Sequence, residues 1–459
     1  MRKLQTRPLD DGCRSVALVL LGFLVICCCA PALPAQEDLD RRIGKELDSL
    51  VATYKRLHQN PELSTEEKET SAAVAQELRR LGLEVTERVG RYESPGAVSY
   101  GVVGVLRNGA GPTVLVRTDM DALPVEEKTG LPYASRVRAK TAEGEVGVMH
   151  ACGHDLHMTV LLGTARMLAQ LKQQWHGTLV MIGQPAEERV GGARAMLGDG
   201  LYTRFPRPDY VLALHDAPLI PAGKVAWHEG PTLASSDAVD ITVRGVGGHG
   251  AAPHMTKDPI VIASEMVLAL QTIVSREIDP LDSAVVTVGV FHAGTKRNII
   301  PDDATLQLTV RAFKPETREK VLASIKRIVQ GIAAAAGVPP ERAPLVRVNE
   351  RESVPATVND PQLTRRVAVA MERALGKDNV LAGDPIMGSE DFSLYAFEDP
   401  QPPICMFWLG ATDPARLREA RETGARVPGL HSSEFAPLPE PAIRTGVKAM
   451  TAAVLDLLR

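Results

Sequence analysis

Three apolar runs, each closing on residues that can bind a metal or carry a proton, constrain this chain more than any other feature. Thr113-Val114-Leu115-Val116-Arg117 leads into Asp119-Met120-Asp121. Thr178-Leu179-Val180-Met181-Ile182 leads into Gln184-Pro185-Ala186-Glu187-Glu188, and Tyr210-Val211-Leu212-Ala213-Leu214 leads into His215-Asp216. Short continuous apolar runs predict strands buried on both faces. A helix expected from about Leu156 to Gln174 separates the first two runs. Strands alternating with helices predict an α/β sheet. In such sheets sites form beyond the carboxyl ends of strands, where these acids and histidines stand.

Leu39, Ile43, Leu47, Leu50, Val51, Tyr54 and Leu57 recur at helical spacing and predict an amphipathic helix ending near His58. Ser64-Thr65-Glu66-Glu67 then has the pattern of a capping box, with Ser64 as N-cap and Glu67 at the third position. The helix it opens is expected to run to about Leu81 and stop at Gly82. The pattern changes near Ser235. A strand at Ala238 to Val243, a glycine-rich loop at Gly245 to His254, a helix from about Ile260 to Val274, strands at Val285 to Phe291 and Thr305 to Phe313, and a helix at Pro315 to Ala336 follow. That order suits a small α+β sandwich. The α/β character resumes after about Val346. One domain is therefore read as inserted into another: residues 37–234 and 346–459 form an α/β body around an insert at 235–345.

The chain has 459 residues, 44% of them hydrophobic, enough for two or three domains. The net charge of -4 has no clustered basic excess, which argues against nucleic acid as a partner. Residues 1–36 read as an export signal: Arg2, Lys3 and Arg7, an apolar stretch from Ser15 to Ala30, and small residues for cleavage around Ala30-Pro31-Ala32 and Leu33-Pro34-Ala35. A retained membrane anchor is the alternative. The apolar run is short for a span of roughly 20 residues, and no second run is judged long enough. Ile26 before Cys27 argues against a lipoprotein. The expectation is an exported protein with no stable membrane span after cleavage. Four of the six cysteines lie in this segment, leaving Cys152 and Cys405. A disulfide between them is one reading. The histidines around Cys152 suit a metal ligand better.

Cys152 and His154 stand two apart with Gly153 between them, and His150, Asp155 and His157 crowd the same stretch. Thiolate and imidazole are first-choice ligands for zinc and similar metals. Alone, the segment reads equally well as a polar loop capped by Asp155. Glu187-Glu188 at a strand end adds a pair of acids, one able to bind metal while its neighbour moves a proton. Taken singly, a Glu-Glu pair is usually a solvated pair, and His215 or His431 is more often structural than a ligand. Together they supply enough ligands for two metals.

Arg117-Thr118-Asp119-Met120-Asp121-Ala122-Leu123-Pro124, His150-Ala151-Cys152-Gly153-His154-Asp155, Gln184-Pro185-Ala186-Glu187-Glu188 and Gly248-His249-Gly250-Ala251-Ala252-Pro253-His254 occur in one chain. So do His58-Gln59-Asn60-Pro61-Glu62-Leu63, Asn298-Ile299-Ile300-Pro301, Gly388-Ser389-Glu390-Asp391-Phe392 and Leu430-His431-Ser432. In these motifs the chain resembles the aminoacylase-like metallopeptidases, in the branch of hippurate hydrolases, N-acetyl-amino-acid deacetylases and plant auxin-conjugate hydrolases. The resemblance implies a metallopeptidase-type α/β catalytic domain with an inserted dimerisation and lid domain. It implies two divalent ions per subunit, zinc or manganese, with Cys152 bridging them and His154, Glu188, His215 and His431 completing the coordination. Glu187 would be the general base and then the acid, and Asp121 and Asp155 would orient ligands from behind. His249 would reach a neighbouring subunit's active site, which makes a homodimer the expected assembly. Asn298, Arg311 and Gly388 would bind substrate, Arg311 gripping a carboxylate through two parallel bonds.

The implied reaction is hydrolysis of N-acyl amino acids by metal-activated water. A carboxypeptidase or dipeptidase acting on short peptides is the alternative, and an inactive exported binding protein of the same fold is a third. No Gly-x-Ser-x-Gly elbow occurs, which disfavours a serine hydrolase. Gly245-Val246-Gly247-Gly248 lacks the Lys-Ser/Thr of a phosphate loop. Two departures stand out. Arg189-Val190 follows Glu188 where members carry small, glycine-like residues, and Asp216-Ala217 replaces an apolar-aromatic pair. The first sets a bulky cation beside the metal site, where it bears on substrate choice, and the second bears on the acyl pocket.

Overall fold

The computed structural model describes residues 35–459 apart from Pro95 and Glu143. The expected export signal thus lies outside the described residues, except that Ala35 and Gln36 open the first helix. The strands that position the site are β1 (Glu84–Val89), β2 (Gly101–Asn108), β3 (Thr113–Asp119), β4 (Gly177–Gln184), β5 (Tyr210–Pro221) and β6 (Val225–Trp227). Next come β7 (Ser236–Arg244), β8 (Ala284–Ala293), β9 (Asp303–Ala312) and β10 (Leu345–Val354), then β11 (Val380–Ala382) and β12 (Ile404–Thr412). The helices are α1 (Ala35–Gln59), α2 (Lys68–Arg80), α3 (His154–Gln170), α4 (Pro259–Thr272), α5 (Pro315–Ala335), α6 (Pro361–Leu375) and α7 (Pro439–Leu457).

The large sheet has eight strands in the order β1-β2-β4-β3-β5-β12-β6-β11. Its centre, β4-β3-β5-β12, is parallel throughout. The three apolar runs of the sequence are β3, β4 and β5, side by side with their carboxyl ends together. The sheet is mixed, because β1 and β2 join it antiparallel. Polar side chains along Glu84-Val85-Thr86-Glu87 conceal β1, which as an edge strand buries little of itself.

Both faces of the parallel centre are covered. Val114, Val116, Leu179, Met181, Leu212, Leu214, Cys405 and Phe407 face one core with α1, α3, α6 and α7. Leu115, Val180, Ile182, Val211, Ala213, Ile404 and Met406 face the other, against Phe392 and Tyr395. The two-residue alternation of a strand produces this division. It also places Cys405 in the helix-side core. Cys152 and Cys405 are both free and buried, so they form no disulfide with each other. Helix α1 buries Leu39, Ile43, Leu47, Leu50, Tyr54 and Leu57, each worth about 1.5–3 kcal/mol.

The insert is an antiparallel sheet in the order β8-β9-β7-β10. Ile262, Ala263, Met266 and Leu270 of α4 and Val321, Ile325 and Val329 of α5 pack on one face of it. Strand β10 begins at the expected boundary and pairs with β7, Val346 opposite Ile241 and Val348 opposite Val239. The small sheet therefore reaches Val354 rather than ending at 345. Its alternating Arg347, Asn349 and Arg351 gave no continuous apolar run to mark it. The segment Pro259–Glu277 is long and apolar enough to cross a membrane by length and composition alone, with mean hydropathy 1.3. That corrects the expectation of no second run, although the buried face of α4 belongs to the insert's own core.

The capping box does not form. Helix α2 begins at Lys68, with Glu67 as an N-cap that makes no side-chain cap. Ser64 Oγ instead donates to Asp121 Oδ2 at 2.6 Å, and Glu67 is fully buried. Tertiary partners at the carboxyl end of the sheet have taken both side chains.

Candidate metal centre

The acid pair sits on a turn held from beneath. Beyond β4, the Ala186 N–H donates to Glu67 Oε1 at 2.8 Å. The Glu187 and Glu188 N–H groups donate to Asp121 Oδ1 and Oδ2 at 3.1 and 3.0 Å. One carboxylate thus fixes two successive amides. Ala186 and Val190 have φ of 49° and 57°. The left-handed region is costly for a β-branched residue, so the turn carries strain on both sides of the pair. Burial, with help from Asp121, lifts the Glu67 carboxyl to about 8.

The opposing ligands come from α3, β5 and a late loop. Gly153 has φ 74°, and a Cβ there would lie 2.5 Å from Asp216 Oδ2, so only glycine lets Cys152 and His154 approach together. His154 Nδ1 donates to the Asp121 carbonyl at 2.7 Å and His215 Nδ1 to the Asp216 carbonyl at 2.8 Å. Both rings are thereby fixed with Nε2 free to act as a ligand atom. His215 Nε2 lies 3.5 Å from Cys152 Sγ. His154 Nε2 lies 3.9 Å from both Glu187 Oε2 and Glu188 Oε1. His431 Nε2 is 3.5 Å from Glu188 Oε1, and the His431 N–H donates to the Ala151 carbonyl at 2.7 Å. The structure brings all five proposed ligands and Glu187 together.

The donor set fits metal ions. His154 Nε2 and Glu188 Oε1 are buried with no hydrogen-bond partner, a costly state for polar atoms unless a cation satisfies them. Ligand atoms of Cys152, His154 and His215, of Cys152, Glu188 and His431, and of His154, Glu187 and Glu188 lie within 4.8 Å of one another in each group. Burial, then Glu188 and Glu187, pushes the Cys152 thiol well above its ordinary value. Only a neighbouring cation would make it a thiolate here. Burial works against charge on His154, yet Asp119, Asp121 and Glu188 hold its pKa well above the usual range. Burial, with Glu390, Glu188 and Asp391, likewise raises the Glu187 carboxyl. The whole site draws in positive charge.

To the layer behind the ligands, sequence reasoning assigned Asp121 and Asp155 but not Arg117, Asp119, His157 or Asp216. Asp119 Oδ1 accepts from His157 Nδ1 at 2.8 Å, and Asp119 Oδ2 accepts from Arg117 at 2.6 Å. His157 Nε2 sits between the Asp216 amide at 2.9 Å and its Oδ1 at 3.1 Å. Asp216 is therefore part of this buried layer. Arg117 also donates to Gln184, Glu390 and Asp391 at 2.9, 2.7 and 3.0 Å. A lone arginine at the end of an apolar strand was the available signal. Asp155 is a correction of another kind. Its carboxylate accepts from His58 Nδ1 at 2.7 Å and bonds none of the proposed ligands among the described residues. One step along α3 from His154 turns it away from the centre.

His58 also donates through Nε2 to Glu127 Oε1 at 3.1 Å. Both ring nitrogens face carboxylates, and although burial opposes the charge, Asp155 and Glu127 raise its pKa from 6.5 to about 10. A raised folded-state pKa stabilises fully below the unfolded value and is lost as pH climbs through the folded one. His58→Leu is expected to cost about 3–5 kcal/mol near pH 6. The unfolding midpoints of variant and wild type should converge toward pH 10. A gap that stays constant from pH 6 to 10 would show that His58 is uncharged in the fold.

The four residues of the insert side divide into two groups. Arg311 is half-buried, and donates through Nη1 to Ser389 Oγ at 2.6 Å and through Nε to Thr309 Oγ1 at 3.1 Å. Gly388, beside Ser389, accepts from the Ala234 N–H at 2.9 Å. These two meet where the insert joins the body. His249 and Asn298 are exposed at a separate two-stranded antiparallel ladder, Gly248–His249 paired with Ile299–Ile300. The Asn298 carbonyl accepts from the Gly250 N–H at 2.9 Å. Among the described residues neither side chain bonds the acid pair or Arg311.

The model of peptidase family M20/M25/M40 matches residues 115–455. A hippurate hydrolase of Campylobacter jejuni is 42% identical over 341 residues, covering 74% of this chain and 82% of that protein. Thermostable carboxypeptidase 2 of Saccharolobus solfataricus is 38% identical over 403 residues, covering 87% and 93%. Among solved structures, a Bacillus subtilis protein described as a dinuclear metal binding peptidase of the M20 family aligns with TM-score 0.71 at 29% identity. That alignment covers 90% of this chain and 99% of the other.

Proposed function

This chain belongs to peptidase family M20/M25/M40 and is a metal-dependent hydrolase of linear amides, and on that premise we propose that its substrates are N-acyl amino acids. The observation that carries the proposal is the placement of Glu187 and Glu188 at equal distance from His154 Nε2, with Arg311 waiting where the insert meets the body. Arg311 has no carboxylate at salt-bridge distance among the described residues, since Asp237 is bonded by Arg318 at 2.6 Å. A half-buried guanidinium with no acid of its own is suited to receive the carboxylate of an amino acid.

Cys152, His154, Glu188, His215 and His431 would hold two ions, zinc or manganese. When bound, these supply polarisation of the scissile carbonyl and a more acidic water. Asp121 holds the acid pair in register through its two amide bonds. Glu187 accepts the proton that the attacking water loses as its oxygen joins the acyl carbon. The C–N bond then breaks, and Glu187 returns the proton to the departing amine nitrogen. Arg311 and Gly388 position the amino acid half. His249 and Asn298 serve the site of a second copy, consistent with their exposure and with the exposed Leu268 and Ile299.

Treatment with a chelator is expected to abolish hydrolysis, and zinc or manganese to restore it. The restored enzyme should cleave N-acetyl- and N-benzoyl-amino acids faster than dipeptides, and light scattering should give the mass of two chains. Faster cleavage of dipeptides would replace this reading with the peptidase one. Protein that binds no metal and cleaves nothing would favour a binding role.

A further inference from the structure

A cleft of about 910 Å³ opens directly on the acid-pair turn, with Ala186 and Glu188 in its lining and Ser236 and Thr309 of the insert opposite. Its remaining chemistry is unusual. Arg91, Arg189, Arg194 and Arg351 all line it, against Glu93 and Glu352. Arg351 is neutralised by an ion pair with Glu93. Arg194 donates only to the carbonyls of Glu350 and Ser353, at 3.3 and 3.1 Å. Arg91 and Arg189 have no side-chain partner among the described residues. Once Glu188 is committed to a metal, Arg91, Arg189 and Arg194 stand against Glu352 alone.

The backbone adds an independent observation. Val190, next to Arg189 and also lining the cleft, is held at φ 57°. The chain keeps a β-branched side chain where glycine would be free of strain, and strain retained beside a reactive pair marks a wall whose shape is used. These guanidinium groups are exposed at the cleft rim, where an apolar acyl group would gain nothing from them. A carboxylate would satisfy them through charge-assisted bonds.

We infer that this cleft is an acyl subsite for anions: the substrates are amino acids whose N-acyl group ends in a carboxylate, bound by Arg189 and Arg91. The inference rests on the acyl amino acid reading above. Arg311, bonded to Thr309 on the insert wall of this cleft, takes the amino acid half, and the acyl half is assigned to the facing wall, where Arg189 follows Glu188.

The test compares N-succinyl- and N-acetyl-derivatives of one neutral amino acid, with N-acetylglutamate as a third substrate, on the metal-loaded enzyme. The succinyl compound is expected to have the higher kcat/KM by at least about tenfold, the size of one charge-assisted hydrogen bond. The preference should shrink with added salt. In an Arg91→Ala/Arg189→Ala variant the ratio of succinyl to acetyl should collapse toward one, mainly through KM. Equal rates on succinyl and acetyl compounds in the wild type would overturn this inference and leave the acyl amino acid reading standing. Preference for N-acetylglutamate over the succinyl compound would overturn the acyl assignment of the subsite. Cleavage of none of the three would overturn both.

Discussion

Replacing Glu187 with glutamine is expected to lower kcat by about 10²–10⁴-fold, the range of a positioned general acid–base group. Metal content and unfolding midpoint are expected to stay at wild-type values. Glutamine preserves the shape of the side chain and leaves the Glu187 amide on Asp121 Oδ1, at 3.1 Å, untouched. What it removes is the ability to take and return a proton. Glu188→Gln gives the contrasting outcome, because a proposed ligand is weakened and metal content falls with activity. Metal analysis and single-turnover rates on both variants separate the roles. Glu187→Gln with kcat within about tenfold of wild type would sink the proton-transfer role.

Arg117→Leu is expected to destabilise the fold by at least about 3–5 kcal/mol, the cost of stranding a buried charge. Arg117, Asp119, Glu390 and Asp391 are all buried, and Arg117 is within hydrogen-bond reach of all three carboxylates. Gln184 closes the cluster, accepting from Arg117 and Tyr395 and donating to Asp391. Removing the cation leaves three acids facing each other without water. Arg117→Lys restores charge but not the planar fork, and is expected to recover only part of the loss. Denaturant midpoints check both. An Arg117→Leu protein as stable as wild type would show that the acids are neutral in the fold. The cluster also reaches the chemistry, because Glu390 and Asp391 help to raise the Glu187 carboxyl.

The parts legible in sequence were those whose signal is local. Buried parallel strands announce themselves as unbroken apolar runs, so β3, β4 and β5 could be read directly, and with them the place where Asp121, Glu188 and His215 gather. Edge strands β1 and β10 carry charged residues on their open faces, so the same signal failed there. Ser64 and Glu67 fit a local cap pattern, yet Asp121 and Ala186, far along the chain, offered buried partners. Asp155 was placed behind the ligands by the resemblance, but it follows His154 on a helix that separates neighbours by about 100°. Asp216 was suspected at the acyl pocket and Arg189 beside the metal site. Asp216 is buried behind the ligands, while Arg189 lines the cleft. The pairing of β12 with β5, His215 opposite Trp408 and Asp216 opposite Leu409, sets the alternation that sends those two side chains to opposite faces.

That same pairing fixes the order in which the molecule can be completed. Strand β12 lies in the middle of the large sheet, between β5 and β6, but it is the last strand to leave the ribosome. Until residue 404 has emerged, β5 is a raw edge, its hydrogen-bonding groups open to any passing strand. His431 follows later still. Neither the sheet nor the metal centre can therefore close until residues 404–431 have been made. A chain cut between residues 404 and 457, by nonsense mutation or proteolysis, loses the middle of its scaffold, a ligand or the helix that covers them.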